Sequence, residues 1–329
     1  MLLDRLAKLM AAIVDWEKRI GRRVRLHDLH VLFAVVQHRS MAKAAGPLGL
    51  TQSAVSQSIA ALEDALGVRL LERSRRGVAP TTYGSALLRR GRAAFDELRE
   101  GVKEIEFLAD PTLGEVRIGC LESIAAGVLA SVIHRFSQLH PRVVLRVQSL
   151  EGTPALLALR ERTLDLAVLR WAKPLADKHI TDDLNLETLF DDQLVAAVAR
   201  RSPWARRRKI DLAELKGEPW ILMAPETWNY TQVADAFRSR GLPMPTISVE
   251  TQSTLLRIDL LATGHYIATF PRSVLSLYAD RFDLKALPID WPVQPWPVVI
   301  VTLKNRMLNP VVEGFIDHLR NLGGSTRGR

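Results

Sequence analysis

Leu26, Leu29, Leu32, Phe33 and Val36 recur at helical spacing, and Arg39-Ser40 then breaks the pattern, with Ser40 placed to cap a second helix. That second helix is short: Met41, Ala44 and Ala45 form its inner face, and Gly46-Pro47-Leu48-Gly49-Leu50 finishes it and turns the chain. Thr51 opens a third helix as its N-cap, and Val55, Ile59, Leu62 and Leu66 share one face until Gly67 stops it. The opposite face is Gln52, Ser53, Ser56, Gln57 and Ala60, free of charge but rich in short amide and hydroxyl groups. Two closely packed helices followed by such a third describe a helix-turn-helix, whose uncharged polar face suits the floor of a DNA major groove.

Beyond the third helix, Leu70 and Leu71 read as buried, and Arg73-Ser74-Arg75-Arg76-Gly77 forms a basic tip ahead of Ala79-Pro80-Thr81-Thr82. A tip of this kind reads as a wing on phosphate or minor groove. Thr82 to Ala109 contains no proline, and Leu88, Gly91, Phe95, Leu98, Val102, Ile105 and Ala109 repeat at intervals of three and four. That spacing predicts either a coiled-coil seam between two copies or a helix lying on its own domain. After a break at Pro111 to Gly114, short apolar runs alternate with helical patterns, from Val116–Gly119 to Leu166–Leu169 and again from about Asp192 to Thr269. Repeated alternation predicts an α/β domain in two similar lobes.

Charge sharpens the picture because of where it lies. The formal net charge is +9, and Arg19 to Arg92 alone holds 13 Lys and Arg against 4 Asp and Glu. Residues 93 to 329 carry 29 of each sign, so the whole positive excess belongs to the helix-turn-helix block and points to a polyanion partner. No apolar run approaches the about 18 residues a membrane span needs, and the first residues include Asp4, Arg5 and Lys8. Together with a single cysteine, Cys120, these features lead us to expect a cytoplasmic protein that does not engage membranes.

Catalytic chemistry leaves no trace in the sequence: Gly-x-Ser-x-Gly, His-Glu-x-x-His and Walker-type patterns are missing, and the eight histidines are scattered. We expect neither an enzyme nor a bound cofactor or metal. Cys120 ends an apolar strand and reads as a small buried residue rather than a redox sensor. Arg200-Arg201 and Arg206 to Lys209, balanced by acidic neighbours, read as a solvated loop.

Polar residues at strand ends and helix starts of the α/β region are the candidates for a small-molecule site. Ser123 opens one helix and Thr251, Gln252 and Ser253 precede another, so that hydroxyls and free N–H groups converge on an anion or else merely cap the helices. Glu151 and Gly152, Arg170 and Trp171, Thr227 and Trp228, and Thr269 join them, with Arg170 placed to clamp a carboxylate. Glu122 opposes an anion, and an amine or a sugar hydroxyl remains an alternative ligand.

The order Ala44-Ala45, Thr51-Gln52-Ser53-Ala54-Val55-Ser56-Gln57, Leu62-Glu63 and Leu66-Gly67-Val68-Arg69-Leu70-Leu71-Glu72-Arg73, followed by Thr82-Tyr83-Gly84, resembles the LysR-type transcriptional regulators. The resemblance extends from Leu26 to about Leu319. It implies an N-terminal all-α winged helix-turn-helix over 25–81, a linker and dimerisation helix over 82–110, and an effector-binding domain over 111–329. That domain would resemble type II periplasmic binding proteins, with lobe I over 115–191 and 298–322, lobe II over 192–297, crossovers near Phe190 and Pro292, and the ligand between the lobes.

The implied partners are operator DNA, a small-molecule effector, RNA polymerase and further copies of the chain, as a dimer or tetramer. DNA would be held by Ser40, Thr51, Gln52, Ser53, Ser56, Gln57, Arg73, Arg75, Arg76 and Thr81, and the pairing seam would be Leu88, Phe95, Leu98, Val102 and Ile105. Two departures from the family pattern stand out. Gly46-Pro47 predicts a shortened or kinked second helix, and Ala60, where a cation is common, shifts phosphate contacts toward Arg73, Arg75 and Arg76. Residues 1–24 add an amphipathic stretch ahead of the family pattern, either a helix or residues preceding the native start. The competing readings are a stand-alone small-molecule binding protein, which would need an export signal, and an architectural protein that coats DNA without specificity.

Overall fold

A computed structural model describes residues 23–74, 77–171, 181–292 and 294–326. It divides into two compact units, one ending at Arg99 and the other beginning at Glu100. The amphipathic stretch expected within residues 1–24 lies almost entirely outside the described residues.

The first unit begins with α1 (Leu26–His38), α2 (Met41–Leu48) and α3 (Gln52–Leu66). The caps fall where the side chains dictate: Ser40 accepts from Lys43 N at 3.3 Å and Thr51 from Ala54 N at 3.2 Å. Helix α2 includes Pro47. It runs through the proline to Leu48 and ends where Gly49 takes a positive φ of 65°, with Leu50 N closing on Ala45 O at 3.0 Å. The missing proline N–H removes only the one bond that would reach back to the Lys43 carbonyl, near the end of a short helix.

Strands β1 (Leu71–Ser74) and β2 (Gly77–Pro80) form an antiparallel hairpin, so the wing adds a small sheet to a unit expected to be all helical. Glu63 Oε1 accepts from Leu70 N at 2.7 Å and Leu71 N at 3.2 Å, fixing the entry of the wing to α3. Helix α4 (Thr82–Ala109) leaves the wing through Gly84, where a Cβ would collide with the carbonyl of Leu70.

The apolar stripe of α4 divides in two. Leu88 is buried in the core with Leu29, Leu32, Val55 and Leu62, and Phe95 packs edge-on against Phe33 at 5.7 Å. Both were expected at the pairing seam; Leu88 instead buries its apolar surface inside its own unit, while Phe95 stays half-buried against that core. Leu98, Val102 and Ile105 continue the stripe and stay exposed, together with Leu108.

The second unit holds two five-stranded sheets. In the first, ordered β4-β3-β5-β12-β6, β3 (Gly114–Cys120), β4 (Val143–Ser149) and β5 (Leu166–Arg170) are parallel, and β12 (Trp296–Leu303) pairs antiparallel with β5 and with β6 (Leu184–Asp192). The second sheet is ordered β11-β7-β10-β8-β9, from β7 (Leu194–Ala199), β8 (Trp220–Leu222), β9 (Ile247–Glu250), β10 (Ile267–Pro271) and β11 (Leu284–Ala286). The chain therefore passes from lobe to lobe at Asp192 and again before Trp296, close to the positions expected near Phe190 and Pro292. Helices α5 (Ala130–Leu139), α6 (Gly152–Arg160) and α10 (Pro310–Thr326) belong to the first lobe, and α7 (Trp228–Ser239), α8 (Thr254–Ala262) and α9 (Arg272–Tyr278) to the second.

A buried polar cluster fastens the last turns of α4 to the first lobe. Asp165 accepts from Arg117 Nη2 at 2.6 Å and Arg306 Nη2 at 3.0 Å, while Glu100 accepts from Asn309 Nδ2 at 3.1 Å and Lys103 Nζ at 3.1 Å. Burial pushes the Asp165 carboxyl up, but the hydrogen bonds and charge of Arg117, with the charge of Arg306, outweigh it and hold the group below the usual carboxylate range.

Candidate functional site

Two surfaces carry the candidate chemistry, one in each unit. In the first unit, packing of Val55, Ile59 and Leu62 into the core leaves Gln52, Ser53, Gln57 and Ala60 exposed and Ser56 half-buried on α3. Ser58 Oγ donates to the buried Asp28 at 2.6 Å, which fixes the helix about its axis. Thr51 Oγ1 and Ser53 Oγ share a hydrogen bond of 2.9 Å at the helix start.

Thr81 lines a depression with Ser56 and Ala60, its hydroxyl donating to Arg69 O at 2.8 Å and accepting from Gly84 N at 3.0 Å at the start of α4. Arg75 and Arg76 and the side chain of Arg73 lie outside the described residues. Arg69, not singled out from the sequence, is exposed and lines the same depression. It supplies a cation beside the position where Ala60 lacks one.

In the second unit a cleft of about 780 Å³ lies between the lobes. It gathers Ser123, Glu151, Gly152, Arg170 and Trp171 from the first lobe and Thr227, Trp228 and Gln252 from the second. Three expected residues stay out of it. Ser253 caps α8 by accepting from Leu256 N at 3.3 Å, and Thr251 Oγ1 accepts from Ser253 N at 3.2 Å. Thr269 is fully buried and donates to Asn229 Oδ1 at 2.6 Å.

Arg170 occupies the hinge side of the cleft. Nη1 donates to Ser123 Oγ at 2.7 Å and Nη2 to Asp192 Oδ2 at 2.9 Å, and the guanidinium lies 5.0 Å from the ring centroid of Trp228. Asp192 also accepts from Ser273 N at 3.2 Å and Ser273 Oγ at 2.6 Å, so one buried carboxylate ties the end of β5 to the start of α9 across the lobes. Arg170 is therefore ion-paired with Asp192 inside the protein, while its Nε is buried without an acceptor.

Arg257 is the cation the sequence reading missed. It is 2% exposed on the inner face of α8, where Thr254, Arg257, Ile258 and Leu261 follow helical spacing. Nη1 donates to Thr269 O at 2.8 Å, Nη2 reaches Thr254 Oγ1 at 3.3 Å, and Nε is buried without an acceptor. Burial pushes its pKa down to about 10, against the opposing influence of the Glu122 charge. A charged residue on an otherwise apolar helix face was the available signal. Glu122, Asn229, Thr254 and Trp296 also line the cleft, and Trp228 and Trp296 lie 5.7 Å apart between centroids. Burial also pushes the Glu151 carboxyl up, with the Arg170 charge pulling it down.

Cys120 is fully buried and its thiol is pushed up to about 11 by burial, so it has little thiolate character. Among the described residues no group of three or more His, Cys, Asp and Glu is placed to hold a metal, and no helix is long and apolar enough to cross a membrane.

Residues 26–85 match the family of bacterial regulatory helix-turn-helix proteins of the lysR type, and residues 109–323 match the LysR substrate binding domain. The chain is 30% identical over 282 residues to the HTH-type transcriptional regulator YybE of Bacillus subtilis (strain 168), covering 86% of this chain and 92% of that one. It is 28% identical over 293 residues to the transcriptional dual regulator GltC of the same organism, covering 89% and 95%. Among solved structures, a full-length OxyR variant from Pseudomonas aeruginosa shares the fold with a TM-score of 0.62 and 21% identity, over 91% of this chain and 94% of that one. Full-length CbnR in complex with its target DNA shares it with a TM-score of 0.52 and 21% identity, over 91% and 100%.

Proposed function

This chain belongs to the LysR family of transcriptional regulators, and we propose that it reads its operator with the uncharged face of α3 while a small molecule held between the lobes of the second unit sets its activity. The observation that carries the DNA assignment is the exposure of Gln52, Ser53 and Gln57 on one capped, axially fixed helix. Side-chain amides there can bond base edges, and Arg69 beside Ser56 and Ala60 can bond phosphate. The cleft, with polar groups from both lobes around an aromatic wall, has the form of a small-molecule site.

The same reading makes the protein a cytoplasmic regulator rather than a catalyst. It acts as a dimer or tetramer on an imperfectly palindromic operator, and its bound effector alters contact with RNA polymerase.

Gel-shift titration of the operator region against random duplex is the test. Gln52→Ala and Gln57→Ala are expected to weaken the operator selectively by about 1–3 kcal/mol, whereas Arg75→Ala weakens every duplex and flattens the salt dependence. Equal loss on all duplexes from both kinds of variant would overturn the assignment, and random duplex displacing the operator as well as the operator itself would favour an architectural role.

A further inference from the structure

The ligand of the cleft is constrained by an imbalance of charge on its walls. Glu122, Glu151 and Glu226 line it, and none meets a cation at ion-pair distance among the described residues. Two guanidinium groups line it as well, but Arg170 is already paired with Asp192. Arg257 meets no carboxylate at ion-pair distance among the described residues, although it is 2% exposed. A charge so buried is costly unless a counter-ion and hydrogen bonds meet it.

The unsatisfied edge of Arg257 has a definite shape. Nε has no acceptor and Nη2 holds only the long bond to Thr254, and this is the edge a carboxylate accepts from side-on through two parallel bonds. A simple carboxylic acid would satisfy it but would face three carboxylates. A simple amine would satisfy those carboxylates and leave Arg257 unpaired. Opposite charges on one small molecule satisfy both walls.

We propose that the cleft takes a zwitterion, an amino-acid-like ligand whose carboxylate is bound by Arg257 and Thr254 on the second lobe. Its ammonium is held by Glu122 and Glu151 on the first lobe, and its apolar part lies against Trp228 and Trp296. The proposal rests on the reading of this cleft as the effector site. The buried Trp228 Nε1, which has no acceptor, adds a donor for a ligand oxygen.

The test is a thermal-shift screen of the full-length protein against the proteinogenic L-amino acids. Calorimetry then compares each hit with its deaminated acid and its decarboxylated amine. At least one amino acid is expected to bind, with both truncated analogues weaker by about 30-fold or more, since each loses a charge-assisted pair. Arg257→Gln is expected to abolish the preference for the amino acid over its amine, and Glu122→Gln the preference over its acid. Thr254→Val provides a milder variant should Arg257→Gln fail to fold. Equal binding of the acid or the amine, or no binding by any amino acid, would overturn the zwitterion while leaving the cleft as an effector site. Binding of an amino acid that is indifferent to Trp228→Ala and Thr254→Val would place the ligand elsewhere, overturning the proposal and the effector-site reading together.

Discussion

At the head of α6, Glu151 is a carboxyl whose surroundings disfavour its charge: burial raises its pKa and Arg170 only partly opposes the rise. The folded protein therefore holds this proton more firmly than the unfolded chain does, and stability is lost as pH rises through the raised value. Glu151→Gln is expected to raise the melting temperature near neutral pH and to leave it unchanged near about pH 3, where the carboxyl is protonated in both states. Melts recorded across that range check the sign, and a destabilised variant at neutral pH would contradict it. Individual site residues were partly legible in the sequence. Ser123, Glu151, Arg170 and Trp228 were found because strand ends and helix starts converge at a cleft between lobes. Thr251 and Ser253 occupy equivalent positions yet bond their own backbone, a choice that depends on side-chain direction. Arg257 went unnoticed because a mid-helix arginine usually faces water, and only its membership of the buried face gives it away.

At the scale of single elements, α4 shows the limit of periodicity. One stripe runs from Leu88 to Leu108, and its spacing is the same whether the partner surface belongs to the same chain or to another copy. The structure divides it: Leu88 joins the core of the first unit with Phe95 half-buried against it, and Leu98, Val102 and Ile105 remain open. The exposed part is the portion left free to pair. Leu98→Glu combined with Ile105→Glu is expected to convert the oligomer to monomers in size-exclusion chromatography with light scattering, and to weaken operator binding about 100-fold through lost avidity. Leu88→Glu should instead unfold the first unit, because it buries a charge among leucines. An unchanged oligomer in the double variant would move the interface off this helix. The caps of α2 and α3 were legible to the residue, since Ser40 and Thr51 act locally. Persistence of α2 through Pro47 was not, because it depends on how the following glycine closes the turn.

For the whole molecule, the two-lobed plan was readable because alternating strands and helices recur on either side of Asp192, and the concentration of positive charge before Arg92 located the DNA-binding half. Bonds that join distant stretches left no such pattern. Asp192 meets Ser273 across 81 positions, and Glu100 meets Asn309 across 209. The second of these bears on where the sensing half begins. Glu100, Lys103 and Phe107 all sit on α4, yet the two charged groups belong to the buried cluster around Asp165 and Arg306, and Phe107 packs against the core of the first lobe. A fragment starting at Thr112, just past the helix, would strip Arg306 and Asn309 of a carboxylate and uncover the part of the first-lobe core that Phe107 packs against. Starting at Glu97 retains them, and that longer piece is expected to melt higher by at least about 4 °C, given the usual 2–4 °C per kcal/mol for domains of this size. The stand-alone sensor is cut correctly inside the long helix, three turns before it ends.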